Sequence, residues 1–385
     1  MNSRQRLIMT LKHKEPDKVP IDLGGTQTGI TVGAYNDLKR YLGIVEENEI
    51  IDLMQQLVRP SERLLKKFKV DTRYIFPKKP KNWELRIKED DYSYSFVDEW
   101  GITFKMPKKK GYYYDMVEHP LRDATIKDLK KYDWPDPRDP GRTEGLEKEA
   151  KNLYEHTDYA IVTGIAGSMF ELAWYLRGFE RFFMDMIENR KFAEALLDKL
   201  LEIWLDFFDE FLGVVGKYVQ VVTVGDDLAM QEGPLMSLDL YRSVVKPRQK
   251  ELFSFIKKHT DAYLFYHGCG SVSQFIPELI EVGVDILNPI QVSAKDMDTH
   301  RLKKEFGSEI TFWGGGCDTQ RVLPFGTPEE VKEEVKRRIK DLAPGGGFVF
   351  NQVHNIQPGV PPKNIVAMFE AANEYGGYEI EKELL

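Results

Sequence analysis

The stretch Ala262-Tyr-Leu-Phe-Tyr-His267-Gly-Cys269 combines the pattern of a buried strand with two metal-binding side chains. Residues 262–266 form an apolar run that is typical of a strand covered on both faces of a parallel sheet. His267 and Cys269 follow at once, and residues two apart in an extended segment point to the same side. Imidazole nitrogen and thiolate sulfur together suit a borderline-soft metal such as zinc. The stretch therefore predicts a parallel strand that ends in a metal site.

Other apolar runs of strand length occur along the chain, separated by stretches with helical periodicity. The predicted strands are Val19–Leu23, Asp71–Phe76, Tyr159–Gly164, Val219–Val224, Ala262–Tyr266, Val284–Asn288, Ile310–Trp313 and Phe348–Val353. The predicted helices between them include Arg181–Phe211, Ser237–His259, Val272–Glu281 and Thr327–Leu342. About eight such units close naturally into an α/β fold of the (β/α)₈ TIM-barrel type, whereas an open doubly wound sheet more often has about five or six strands.

One region, residues 83–118, departs from this alternation between the second and third predicted barrel strands. It shows the period-2 pattern of strands in Leu85–Ile87, Tyr92–Phe96 and Ile102–Lys105, with glycines as breaks. We therefore predict an inserted β-hairpin or small sheet. The chain has no internal repeat, and we predict one barrel domain that spans residues 1–385.

Composition excludes several classes of protein. Of the 385 residues, 30% are charged and 42% hydrophobic, and the net charge of −8 argues against a nucleic-acid-binding protein. The N-terminus lacks the apolar core of a signal peptide, and no run is long enough to span a membrane. Two cysteines do not make a disulfide framework. These features predict a cytoplasmic protein, in which thiols stay reduced and available to a metal.

Catalytic groups of a TIM barrel gather where its strands end, and polar residues follow successive predicted strands of this chain. The acids after the fourth strand are candidates for general acid–base catalysis or metal binding, namely Asp226, Asp227 and Glu232. Polar residues after the last three strands are predicted to bind substrate, namely Asn288, Gln291, Asp318, Gln320 and Asn355. Cys317 and His354 are further soft donors for the metal.

Each of these residues also has an explanation without function. An aspartate pair such as Asp226 and Asp227 can cap the following turn, and a single strand-end histidine usually makes only hydrogen bonds. A single cysteine is most often a small buried apolar residue. The coincidence of donors at the same end of several strands is what favours a site.

At these strand ends the chain resembles the uroporphyrinogen decarboxylase-like superfamily, in the branch near the corrinoid-dependent methyltransferases. The similarity extends along nearly the whole chain. The motifs that carry it are His267-Gly-Cys269-Gly, Trp313-Gly-Gly-Gly-Cys-Asp-Thr-Gln320, Pro344-Gly-Gly-Gly and Val353-His-Asn-Ile-Gln357. The fold that this resemblance implies is a TIM barrel.

Two kinds of reaction occur in this superfamily, decarboxylation of porphyrinogens and methyl transfer, and the motifs distinguish them in part. The decarboxylases carry an arginine-rich segment after the first strand and an aspartate just after the second. Here residues 22–27 contain no arginine, and Phe76-Pro-Lys78 contains no aspartate. Porphyrinogen decarboxylation is therefore the less expected activity.

The methyltransferases of the superfamily place zinc on a His-x-Cys pair and a third, thiol ligand after the last strand. His267 and Cys269 match the pair, whereas His354 stands at the third position. The resemblance thus implies zinc held by His267 and Cys269 with either His354 or Cys317. Asp226, Asp227 or Glu232 can complete the shell.

The activity implied is that of a zinc-dependent methyltransferase that moves a methyl group between a corrinoid protein and a small-molecule thiol, ether or amine. Two alternatives stay open at this point. One is a metal-independent lyase that uses Asp226 or Asp227, and the other is a non-catalytic barrel that binds a small molecule. Relatives include monomers and dimers, so a homodimer is one expected assembly.

Overall fold

A computed structural model describes residues 1–165 and 167–378. Within these ranges the strands are β1 (Ile30–Thr31), β2 (Ile50–Asp52), β3 (Leu57–Val58), β4 (Thr72–Ile75), β5 (Lys88–Glu89), β6 (Ser93–Val97), β7 (Thr103–Pro107), β8 (Asp115–Glu118), β9 (Ala160–Gly164), β10 (Val221–Gly225), β11 (Ala229–Met230), β12 (Gly233–Pro234), β13 (Tyr263–His267), β14 (Ile286–Asn288), β15 (Thr311–Trp313) and β16 (Phe348–Val349).

The α-helices within the same ranges are α1 (Ser3–Leu11), α2 (Val32–Leu42), α3 (Glu62–Lys67), α4 (Ile126–Leu129), α5 (Leu146–His156), α6 (Met169–Arg177), α7 (Phe179–Glu188), α8 (Arg190–Val215), α9 (Leu238–Leu240), α10 (Lys246–His259), α11 (Ile276–Glu281), α12 (Thr299–Phe306), α13 (Val322–Phe325), α14 (Pro328–Leu342) and α15 (Pro362–Tyr375). Short 3₁₀ turns cover Pro140–Thr143 and Ser273–Phe275, and a π-helical segment covers Tyr241–Val245.

The central sheet is parallel and follows the order β16-β15-β14-β13-β10-β9-β4. Its strands are buried on both faces because side chains of one face fill the barrel and those of the other pack against helices. The seven strands of this sheet, counted within the described ranges, correspond to the second to eighth predicted barrel strands.

The predicted first strand, Val19–Leu23, is not a regular strand, although it occupies the first barrel position. Ile21 forms a parallel bridge with Phe350 of the last position, and the Phe350 amide donates to Pro20 O at 2.8 Å. On the other side the Asp71 amide donates to Ile21 O at 2.7 Å. Pro20 has no amide hydrogen and so interrupts a continuous ladder. The segment nevertheless joins both edges of the sheet, and the TIM barrel predicted from the sequence is confirmed.

The barrel interior is packed and closed at its amino-terminal end. Apolar side chains from each strand of the sheet form one buried cluster, which includes Phe265 and Trp313. Leu7 and Leu11 of α1 belong to the same cluster and plug this end. Ligands must therefore approach from the opposite end, where the strands finish and the connecting loops begin.

The inserted region between β4 and β9 is an antiparallel sheet with the order β5-β6-β7-β8, as predicted for residues 83–118. The predicted strand Leu85–Ile87 is wrong, since pairing begins at Lys88. Asp90 accepts hydrogen bonds from the amides of Tyr92 and Ser93 and forms the tight turn, so only the two residues before it pair with β6. Leu85 instead lines a cavity beneath the sheet.

The predicted helices are present with modified boundaries. The predicted helix Arg181–Phe211 is divided at Asn189 into α7 and α8. Thr327 begins α14 with a reciprocal capping box with Glu330 and is followed by a proline, in agreement with its sequence. Among the helices of the described residues, none combines the length and the apolar character needed to cross a bilayer.

Candidate metal centre

Three soft donors from two loops meet at the mouth of the barrel. His267 ends β13, Cys269 follows it by two residues, and His354 lies in the loop after β16. Their ligand atoms all lie within 4.8 Å of one another, and we call these residues the donor cluster. Gly268 separates the first two donors, and a Cβ there would lie 2.9 Å from Tyr266 Cε1. The close packing at this position explains why the middle residue of the motif carries no side chain.

The donor cluster has dimensions that fit zinc. Zinc bonds of about 2.3 Å to sulfur and about 2.0–2.1 Å to nitrogen, at tetrahedral angles, place the two ligand atoms about 3.5 Å apart. The distance between Cys269 Sγ and His267 Nε2 is 3.5 Å. Two imidazoles and one thiol also leave a fourth position for a substrate atom, which is the arrangement of catalytic zinc sites.

Asn288, at the end of β14, fixes the orientation of His267. Its Nδ2 donates to Trp313 O at 2.9 Å, so its Oδ1 must face the imidazole. His267 Nδ1 lies 2.7 Å from that oxygen and therefore donates to it. The lone pair of His267 is left on Nε2, the atom nearest Cys269. Asn288, predicted to bind substrate, is thus placed as the hydrogen-bond partner that orients a candidate metal ligand.

The electrostatics of the donor cluster favour a bound cation. Burial lowers the pKa of His267 and of His354 to about 4, so both imidazoles are neutral and able to bind a metal. Burial, with the nearby carboxylates of Asp227 and Glu171, raises the pKa of the Cys269 thiol well above its usual value. Without a cation this thiol stays protonated, whereas a metal would stabilise the thiolate and the neighbouring negative charges.

Two carboxylates stand beside the donor cluster. Asp227, predicted from the sequence, accepts the Cys269 amide at 2.7 Å and is half-buried. Glu171 in the first turn of α6 was not predicted; its carboxylate accepts the Tyr175 hydroxyl at 3.2 Å and lies near Asp227. Burial raises the pKa of both carboxyls. Asp227 has the sequence signal of an acid just after a barrel strand, which many structural acids share, whereas Glu171 lies seven residues beyond the end of β9.

Asp226, adjacent to Asp227, has a different environment. It is completely buried, and one oxygen accepts the backbone amides of Phe170 and Glu171 at 2.8 and 2.9 Å. The other oxygen accepts Ser168 Oγ at 2.9 Å and Gln249 Nε2 at 3.0 Å. Both oxygens are thus engaged at the start of α6. Asp226 thus caps a helix that precedes it in the chain and not the turn that follows it, which makes it a positioning residue for the helix that carries Glu171.

Cys317 does not join the donor cluster. It is buried in the loop after β15, and its Sγ lies 3.6 Å from Glu334 Oε2 on α14. Glu334 in turn forms an ion pair with Arg338 at 3.0 Å. The thiol therefore faces the helix layer outside the barrel, and of the two candidates for third ligand the structure brings only His354 to His267 and Cys269.

Two of the predicted substrate-binding residues hold loops in place. Gln291 Oε1 accepts the Gly270 amide at 2.7 Å and so anchors the chain just after Cys269. Asn355 Oδ1 accepts the Gly29 amide at 2.7 Å, and its Nδ2 donates to Thr26 O at 2.8 Å. Both side chains shape the mouth of the barrel through backbone contacts.

The remaining predicted residues lie at turns. Asp318 is buried and its Oδ1 accepts the Gln320 amide at 2.7 Å, while Gln320 itself is exposed. Glu232 is exposed in the turn of the β11–β12 hairpin. Their roles in substrate binding or catalysis stay predictions.

A cavity of about 380 Å³ lies between the inserted sheet and the barrel. Its inner end is formed by Gly167, Leu172 and Glu171 near the start of α6. Its walls are largely aromatic, with Trp83, Phe96, Trp100, Phe104, Tyr175 and Trp204. Because Glu171 also lies close enough to Cys269 to affect the pKa of its thiol, the cavity is near the donor cluster.

Comparison with known proteins supports the family that the motifs indicate. Uroporphyrinogen decarboxylase from Alkalilimnicola ehrlichii is 24% identical over 287 residues, covering 72% of this chain and 73% of the relative. Uroporphyrinogen decarboxylase from Prochlorococcus marinus is 28% identical over 276 residues, covering 70% and 73%. A solved structure of a methyltransferase from Methanosarcina mazei superposes with a TM-score of 0.65 at 20% identity, covering 97% of this chain and 99% of that one.

The solved structure shares the fold with this chain, while the family is given by a match over most of the sequence. The model of the uroporphyrinogen decarboxylase family, described as "Uroporphyrinogen decarboxylase (URO-D)", matches residues 95–375. This range begins inside the inserted sheet and ends in α15, so it includes the whole donor cluster. The chain therefore belongs to the uroporphyrinogen decarboxylase family.

Proposed function

We propose that this protein is a zinc-dependent methyltransferase that moves a methyl group between a corrinoid protein and a small-molecule thiol, ether or amine. The observation that carries the proposal is the meeting of His267, Cys269 and His354 within 4.8 Å at the open end of the barrel. A decarboxylase that works without a metal has no use for such a cluster. The name of the Methanosarcina mazei methyltransferase, whose fold this chain shares, gives further support.

The residues around the donor cluster have distinct tasks in this proposal. When bound, zinc would supply Lewis-acid chemistry at the sulfur, oxygen or nitrogen atom of the substrate. Asn288 keeps the Nδ1 proton of His267 directed away from the ligand position. Asp227 and Glu171 are placed to hold a proton close to the reacting group, since burial raises the pKa of both.

The corrinoid would be carried by a separate protein that docks at the open end of the barrel, because α1 closes the other end. A free thiol at the donor cluster also requires reducing surroundings, which supports a cytoplasmic location. Assembly as a homodimer remains a prediction.

The test uses protein freed of metal by a chelator, with free methylcobalamin in place of the corrinoid protein and simple thiols as acceptors. Equimolar zinc should raise the rate of methyl loss from methylcobalamin by about tenfold or more. The reverse reaction is followed as methylcobalamin formation from cob(I)alamin and methyl ethers or methylamines. His354→Gln should abolish the zinc effect, whereas the matched control Cys317→Ser should retain it. Equal rates with and without zinc in both directions would refute the proposal.

A second candidate is a metal-independent lyase of the decarboxylase type, which the names of the sequence relatives favour. Acid–base chemistry would then fall to Asp227 with Glu171, because both oxygens of Asp226 are occupied by four donors. Chromatography of porphyrins after incubation with uroporphyrinogen, in the presence of a chelator, tests this candidate. Conversion that persists without metal and disappears in Asp227→Asn would favour the lyase over the methyltransferase.

A further inference from the structure

The cavity beneath the inserted sheet has a chemistry that selects one class among the thiols, ethers and amines of the proposed function. We infer that it binds a methylated ammonium cation as the small-molecule substrate. The inference rests on the proposed function for its catalytic meaning, but the binding it describes can be measured without zinc or corrinoid.

The first argument is the aromatic lining. The inserted sheet and the segment before it contribute Trp83, Phe96, Trp100 and Phe104, and the helices opposite contribute Tyr175 and Trp204. The rings of Trp100 and Trp204 contact each other, with centroids 5.8 Å apart and an interplanar angle of 44°, and both line the cavity. Aromatic faces attract cations and are used in proteins to recognise quaternary ammonium groups.

The second argument is the charge of the remaining lining residues. Three carboxylates line the cavity, from Asp52, Asp98 and Glu171, whereas the basic residue among the lining side chains, Lys79, is exposed at its edge. Burial raises the pKa of all three carboxyl groups, so their ionised forms lack a charge partner inside the cavity. A bound cation would supply that partner, whereas an anionic ligand would oppose ionisation of the acids. A compact cation would be attracted both to the aromatic faces and to the ionised carboxylates.

Asp98 is held in position for this role. Its Oδ1 accepts the backbone amides of Trp100 and Ile102 at 2.9 and 2.8 Å, which fixes the carboxylate at the turn between β6 and β7. Burial raises the pKa of Asp98 to about 7. A cation in the cavity would favour its charged form.

The position of the cavity also suits a substrate. Glu171 lines the cavity and lies near Asp227, whose side chain accepts the amide of Cys269. A cation in the cavity would therefore be connected to the donor cluster through two acidic residues, Glu171 and Asp227. A cavity of about 380 Å³ is within the size range of small-molecule sites.

The test measures binding of choline and of its neutral isostere 3,3-dimethylbutan-1-ol by quenching of tryptophan fluorescence, with calorimetry as a second readout. We expect choline to bind about tenfold or more tightly than the isostere, both with zinc and after its removal. An anionic probe, 4-methoxybenzoate, should bind more weakly than choline. Asp98→Asn keeps the acceptor for the two amides and should weaken choline binding about tenfold without affecting the isostere.

Asp91→Asn is the matched control, since Asp91 lies in an exposed turn of the same inserted sheet. It should leave choline binding unchanged, and a folded spectrum of Asp98→Asn would show that its loss is local. Equal or tighter binding of the isostere or of 4-methoxybenzoate, or no effect of Asp98→Asn, would overturn the inference. If choline binds as expected but zinc-dependent methyl transfer is absent, only the proposed function fails.

Discussion

The loops after β13 and β15 both place a cysteine directly behind a glycine at the end of a barrel strand, yet the two thiols face opposite ways. Cys269 Sγ lies 3.5 Å from His267 Nε2 inside the mouth. Cys317 Sγ lies 3.6 Å from Glu334 in the helix layer. Position at a strand end is therefore not sufficient to bring a thiol to the donor cluster, and the direction in which the loop leaves the strand decides where the thiol lies.

The backbone explains the different directions. After β15 the chain passes through Gly314 and Gly315, whose φ angles of +90° and +81° are unfavourable for other residues. These two residues carry the chain outward before Cys317 is reached. After β13 only Gly268 intervenes, so Cys269 stays on the same side as His267.

The two thiols also differ in their charged neighbours. Glu334, next to Cys317, already has a cationic partner in Arg338 at 3.0 Å. The carboxylates that act on Cys269 are Asp227 and Glu171, and the adjacent imidazoles are neutral. The charges around Cys317 are balanced within the chain, whereas those around Cys269 would be balanced by a bound cation.

The largest expected difference between the loops is in zinc content. Protein purified without chelator should hold about one zinc per chain, and Cys269→Ser should lose nearly all of it because the thiolate ligand is gone. Cys317→Ser should retain the zinc of the unchanged protein, as measured by mass spectrometry of the metal. Loss of zinc in Cys317→Ser alone would reverse the assignment of the two loops.

The pH dependence of stability sharpens the comparison. Burial lowers the pKa of His354 from 6.5 to about 4, so between these values the unfolded chain binds a proton that the folded chain does not. The stability that comes from the neutral imidazole is complete above pH 6.5 and is lost as the pH falls towards 4. In metal-free protein, the difference in free energy of unfolding between the unchanged chain and His354→Gln should fall by about 1.4 kcal/mol per pH unit in this window.

Urea unfolding at several pH values measures this difference. His300→Gln serves as a control because His300 is exposed on α12. A difference for His354→Gln that stays constant across the window would show that the imidazole is more accessible to solvent than the structure indicates.

A smaller effect is expected from the residue that orients His267. Asn288→Ala removes the acceptor for Nδ1, and zinc affinity should fall by about 10- to 100-fold because the ring can rotate. Asn364→Ala is the matched control, since Asn364 is equally buried but donates to Leu323 O and Gly326 O beyond β15. Competition with a chromophoric chelator measures the zinc affinity of each variant. Equal affinities for the two variants would show that Asn288 does not support metal binding.

The sequence predicts the parts of the site that depend on local geometry. His267 and Cys269 are two residues apart at the end of a strand, so their common direction needs no knowledge of the rest of the fold. The barrel is predicted for a similar reason, because buried runs and amphipathic helices are properties of short segments. The first barrel position is the exception, since Pro20 breaks the ladder there while the segment keeps its place.

The roles of Asn288, Asp226 and Glu171 depend on contacts between distant segments. Asn288 stands beside His267 because β13 and β14 pair in a register that no local pattern reveals. The packing of α6 decides which aspartate, Asp226 or Asp227, caps that helix. Glu171 approaches Cys269 only because the loops after β9, β10 and β13 meet. The sequence identifies Asn288 and Asp226 as polar residues at strand ends but cannot assign their tasks, and it does not single out Glu171.

The inserted sheet has a consequence for how such an enzyme can diverge. It supplies the outer wall of the aromatic cavity, whereas the donor cluster belongs to the barrel itself. Duplicated copies of the gene can therefore exchange or remodel residues 88–118 without disturbing the reactive centre. New substrate preferences would then arise by replacement of a peripheral module, and paralogues should vary most in this module.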